Sequence, residues 1–88
     1  MRRTNIAHKI YNYAAIFEPA KEGGYNVSFP DFSGCVTFGR NFEEAKEKAR
    51  EVLALWIEEM FARRKRIPAR SARPLVDEVE VSLRASAK

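Results

Sequence analysis

Cys35 and His8 are the one thiol and the one imidazole of this 88-residue chain. A thiol nucleophile needs a base to take its proton. His8, in a polar N-terminal stretch far from Cys35 in sequence, is a poor candidate, so Cys35 reads as a small half-buried thiol beside the Gly34 turn. A single histidine also excludes a multi-histidine metal site and most histidine-based triads. Two-metal nuclease chemistry needs several converging carboxylates. Residues 10–17 contain none, Asp31 falls in a turn, and Glu18 and Glu22 flank another. The expectation is a protein that is not an enzyme, with no metal and no cofactor. Tyr11, Tyr13 and Tyr25 have faces on which bases could stack, but their period-two spacing beside Val27 and Phe29 is that of core residues.

Charge gives the remaining chemistry. The chain carries +4, yet Arg63, Arg64, Lys65, Arg66, Arg70 and Arg73 form a block without a single acid, and the other ten basic and twelve acidic residues leave −2. Such a block is either a solvated helix end, where cations are favourable against the terminal carbonyls, or a phosphate-binding segment whose affinity would fall steeply with salt. It defines an alternative reading as a nucleic-acid-binding module.

The elements that must position these groups follow from periodicity. Residues 10–17 are rich in β-formers and place Tyr11, Tyr13, Ala15 and Phe17 on one face, with Ile10, Asn12, Ala14 and Ile16 on the other. The stretch 18–24, with Pro19, Gly23 and Gly24, is a turn. Tyr25, Val27 and Phe29 then alternate with Asn26 and Ser28, predicting a half-buried strand and a hairpin. Pro30 ends it, since proline cannot donate to a ladder. Asp31 to Gly34 turn the chain, and residues 35–38 predict a short third strand. Asn41 is an N-cap and Glu44 completes a capping-box pattern. From there Phe42, Ala45, Ala49, Val52, Leu53, Trp56, Ile57 and Met60 make one apolar stripe of a helix over residues 42–64. Ile67-Pro68 bars continuation. Finally Leu75, Val79, Val81 and Leu83 alternate with Glu78, Glu80 and Ser82, predicting a fourth strand. The fold class is α+β: a small antiparallel sheet with one long helix on one face, in the order β-β-β-α-β.

The length allows one domain, over residues 10–84, between a polar arm at 1–9 and a tail at 85–88. A chain this short buries only about 60–65% of its unfolded surface, so a homo-oligomer, dimer or tetramer, is expected, with Leu55 and Phe61, both off the apolar stripe, as candidate interface residues. One helix leaves the other sheet face uncovered, with Asn12, Ala14, Ile16, Asn26, Ser28 and Thr37 expected there. Uncovered faces and edges are where another chain is captured. Nothing in the N-terminal residues resembles an export signal, and with one cysteine the expected compartment is the cytoplasm.

The run GGYNVSFPDFSGCVTFGR, followed by NFEEAKEKAREVLALWIEEM and RIPARS, resembles the HicB-like antitoxin family. The resemblance rests on Gly23, Gly24 and Tyr25, on Pro30, Asp31, Gly34 and Cys35, on Thr37 and Gly39, on Glu43, Glu44 and Ala45, and on Ile67, Pro68 and Ser71. It implies a partial RNase H-like fold without nuclease activity. It also implies a type II toxin–antitoxin role: binding a small HicA-type RNA-cleaving toxin and occluding its active site. An orphan oligomeric domain of that fold is a further alternative. The toxin-facing residues expected are Asn12, Ala14, Asn26, Ser28 and Asp31. Many family members continue into a helix-turn-helix or ribbon-helix-helix domain. No separate DNA-binding domain is expected within these residues.

Overall fold

A computed structural model describes residues 9–71 and 73–84. Almost all of the expected arm, His8 with it, and the expected tail lie outside the described residues. The elements run β1 (Ile16–Pro19), β2 (Tyr25–Ser28), β3 (Val36–Gly39) and α1 (Phe42–Ala62). The three strands form one antiparallel sheet in the order β1-β2-β3.

Two glycines make the close approaches this small sheet needs. The β1–β2 turn closes with Gly23 N–H donating to the Ala20 carbonyl at 3.0 Å and Ala20 N–H to the Gly24 carbonyl at 2.9 Å, with Gly24 at φ 82°. A Cβ on Gly39 would lie 2.3 Å from the Ala45 nitrogen, so only glycine lets β3 run directly under the first turns of α1. Ala45 and Ala49, fully or nearly buried, keep the helix close to the sheet over Val27, Phe29, Phe32 and Cys35, and Ile57 of the helix completes this core. Tyr11, Tyr13, Ala15, Phe17, Tyr25, Val52, Leu53, Trp56 and Met60 close the core at its margins. The expected helical stripe is thus the buried face, apart from its first residue: Phe42 stays partly exposed and packs edge-on against Phe17 and Tyr25.

The helix starts as expected: Asn41 Oδ1 accepts from Glu44 N–H at 2.8 Å. Glu44 does not reach back to the cap itself. Its carboxylate accepts from the Arg40 backbone N–H at 2.7 Å and from Arg40 Nε at 2.9 Å. The helix stops at Ala62, two residues short of the expected Arg64. Pro68 is not the cause. Arg64 adopts φ 56°, its N–H donates to the Phe61 carbonyl, and Lys65 N–H donates to the Met60 carbonyl at 2.8 Å. This is a Schellman ending with arginine in the left-handed position that glycine usually occupies.

Two expected strands are corrected. The first was expected over residues 10–17, but β1 begins at Ile16. In the register Ile16↔Ser28, Ala14 would stand opposite Pro30, which has no N–H to give, and residues 10–15 form no ladder. The third strand is shifted by one residue, to Val36–Gly39. The fourth strand expected from Leu75, Val79, Val81 and Leu83 is not formed, and the observed order is β-β-β-α. Among the described residues 73–84 have no ladder partner, and those four side chains are strongly exposed. Alternation marks a sequence fit for a strand, but a strand exists only when a neighbour takes its hydrogen bonds.

Candidate partner-binding surface

The uncovered face of the sheet is set by strand register. Directly opposed residues share a face, so Ile16, Ser28 and Val36 form one row and Glu18, Asn26 and Phe38 the next. Thr37, expected on this face, pairs with Val27 and therefore lies on the helix side. Val36 and Phe38 take its place, and both are exposed, at 59% and 44%. Asn26 is exposed and Ser28 half-buried between them, along a shallow groove that also includes Glu18. The surface is polar at its centre and apolar along β3. Val36 and Phe38 were missed because their face depends on the length of the Phe29–Cys35 turn. There Phe29 N–H donates to the Cys35 carbonyl at 3.3 Å and sets the register.

The remaining expected contacts do not gather there. Asn12 lies along a different groove, between residues 11–17 and α1, with Lys46, Arg50 and Leu53. Ala14 is half-buried, just before β1. The Asp31 carboxylate is already engaged: Oδ1 accepts from Ser71 Oγ at 2.5 Å and Oδ2 from Ser71 N–H at 3.3 Å. The Tyr13 hydroxyl donates to the Pro68 carbonyl, and Ile67 packs on the core. Together these contacts clasp the stretch after the helix onto the body. Burial, then the neighbouring Tyr11 and Asp31, push the Tyr13 hydroxyl above its ordinary pKa, which keeps it a donor.

Leu55 and Phe61 are both exposed, as expected, but they line separate grooves. Leu55 stands with Trp56, Met60 and Lys65, whereas Phe61 meets Tyr11 at 6.4 Å between ring centres. The basic block does not form a single feature either. Arg63 Nε is 2.6 Å from Glu59 Oε2, Arg64 serves the helix ending, and Arg70 and Arg73 lie beyond the clasped loop's start, exposed. Cys35 is fully buried, and burial pushes its thiol above the ordinary pKa, disfavouring thiolate. Among the described residues no group of three or more His, Cys, Asp or Glu side chains converges as a metal site would require, and no helix is long and apolar enough to cross a membrane.

Residues 12–88 match the family described as the HicB_like antitoxin of bacterial toxin-antitoxin system. A UPF0150 protein of Synechocystis sp. is 37% identical over 60 residues, which is 68% of this chain and 76% of that protein. Antitoxin HicB 1 of Photorhabdus laumondii is 42% identical over 60 residues, again 68% of this chain but 39% of that protein. The chain therefore spans about two-fifths of the length of that antitoxin.

Proposed function

The chain belongs to the HicB-like antitoxin family of bacterial toxin–antitoxin systems, and we propose that it neutralises a small HicA-type RNA-cleaving toxin by covering the toxin's active site. A toxin is the partner that family membership implies. The observation that supports binding through the sheet is the uncovered face itself: Asn26 and Ser28 flanked by exposed Val36 and Phe38. An exposed aromatic beside small polar groups is the composition of an interface centre, where a few buried side chains supply most of the affinity. Inhibition by occlusion asks nothing of the thiol or of the scattered carboxylates. It asks for a rigid surface, which β2 provides by pairing on both sides.

The test is a titration of a HicA-type toxin's RNA cleavage with this protein, alongside calorimetry. The expected result is stoichiometric loss of cleavage. Asn26→Lys with Phe38→Glu should weaken binding at least tenfold while the circular dichroism spectrum is unchanged. Full cleavage in the presence of excess protein would overturn the reading. Undiminished affinity in the double variant would move the contact off this face. Recovery of RNA by the protein alone, lost as salt rises, would favour the basic block instead.

A further inference from the structure

Residues 75–83 and the groove beside residues 11–17 fit each other, and in this structure neither is filled. The segment exposes Leu75, Val79, Val81 and Leu83, each at 69% or more, on alternate positions, with Asp77 on the same side. The groove runs between residues 11–17 and α1. Its apolar wall is Leu53, Ala54, Ile57 and Phe61, and Lys46 and Arg50 stand toward its Phe17 end. Residues 10–15 have no ladder partner among the described residues. The lengths agree. From Lys46 to Phe61 α1 rises about 22 Å, and seven residues of strand span about 20–23 Å.

Charge sets the direction. Asp77 is favoured beside Lys46 and Arg50, and Arg84, which follows Leu83, is favoured at the other end beside Glu58. That polarity places Asp77 opposite Phe17, Val79 opposite Ala15, Val81 opposite Tyr13 and Leu83 opposite Tyr11, antiparallel to β1. Val79, Val81 and Leu83 then continue the helix-side face. The segment does not turn back in its own chain. Ser71 is held by Asp31, the residues from 72 to 76 include no glycine or asparagine, and Pro74 keeps its predecessor extended.

We propose that residues 77–83 of one copy add as a fourth strand to residues 11–17 of a second copy, and that the exchange is reciprocal and two-fold, closing a dimer. This inference is independent of the antitoxin reading, because it uses the β1 edge and the helix-side groove rather than the uncovered face.

The experiment uses the full chain without any partner. Light scattering after size exclusion at tens of micromolar should give a dimer. Val79→Lys with Val81→Lys, at side chains strongly exposed in the single chain, should give a folded monomer. Asp77→Arg should weaken the dimer at least tenfold, and mixing it with Arg50→Glu should restore association. Asn12→Cys and Ser82→Cys chains, mixed and oxidised, should form a cross-linked heterodimer, since this register sets the two positions directly opposite one another. A strictly monomeric wild-type chain would overturn the proposal. So would a dimer indifferent to the lysine pair, or an intrachain cross-link in the Asn12→Cys/Ser82→Cys double variant, which would mean that the segment docks on its own body.

Discussion

Residues 25–29 and 75–83 are written in the same period-two pattern and have opposite fates. Tyr25, Val27 and Phe29 face a helix while β2 is paired on both sides, and Val27 and Phe29 are almost completely buried. Val79, Val81 and Leu83 have an equally regular alternation and lie in solvent. The difference is one of neighbours. β2 is connected to its two partners by short turns, so closing those contacts costs little chain entropy. The later segment is separated from the sheet by a 21-residue helix and a clasped loop. Alternation selects which face is apolar, whereas chain connectivity decides whether anything is within reach to cover it.

The sharpest way to break this comparison is to truncate one side chain in each region. Phe29→Ala should cost about 3–5 kcal/mol, enough to unfold much of so small a domain. Val79→Ala should change stability by less than about 0.5 kcal/mol when measured by urea denaturation at concentrations low enough to exclude association. A large loss from Val79→Ala in the dilute monomer would mean that the segment packs on its own chain and that the two regions are not different in kind.

The clasp marks where one region gives way to the other. Ser71→Ala removes the hydroxyl that donates to Asp31 Oδ1 while leaving the backbone N–H to Oδ2, and should cost about 1 kcal/mol. Its more telling effect is local. Amide exchange and proteolysis should increase from residue 67 onward and stay unchanged in β1 to β3. Uniform loosening would show that the clasp belongs to the core after all.

The elements most legible in the sequence were those specified locally. The Asn41 cap, the stripe from Ala45 to Met60 and the Gly23-Gly24 turn each depend on residues within a few positions of one another, and each stands where expected. What could not be read locally was decided by pairing. The start of β1 depends on Pro30 facing Ala14 across the hairpin. The face of Thr37 depends on the register set by the next turn, and the fourth strand depends on a partner that the single chain does not bring to it. The same reason limited the site. Asn26 and Ser28 were found because β2 alternates cleanly, while Val36 and Phe38 needed the register of β3. The Pro-Asp and Ile-Pro-x-x-Ser motifs come together as a clasp through Asp31 and Ser71, and no spacing rule links positions so far apart.

The two ends of α1 extend the contrast to smaller effects. Asn41→Ala should cost about 1 kcal/mol, because it leaves the Glu44 N–H without its acceptor. Arg64→Gly should instead stabilise by about 0.5 kcal/mol. A left-handed arginine costs about 1–2 kcal/mol, and the extra freedom of glycine in the unfolded chain returns part of that gain. Thermal melts of the two variants should therefore move in opposite directions. A destabilised Arg64→Gly would mean that the arginine side chain contributes more at the helix end than its backbone strain costs.

The smallest effect lies within the body but on its solvent side. Hydrogen bonds from the Arg40 side chain, then from its backbone N–H, hold the Glu44 carboxyl below the ordinary carboxylate range. A group whose folded pKa is depressed contributes its stability above the unfolded value, and that contribution is lost as pH falls through the folded value. The helix start should therefore keep its full stability at neutral pH and weaken slightly below the ordinary glutamate range. Because Arg40 is largely exposed and Glu44 partly so, salt should reduce the effect. Carboxyl NMR titration should place Glu44 below the ordinary carboxylate range, and Arg40→Ala should raise it toward the ordinary value while the Asn41 cap holds. An unchanged Glu44 titration in Arg40→Ala would transfer the cause from that arginine side chain to the positive end of the helix, which every first-turn carboxylate shares.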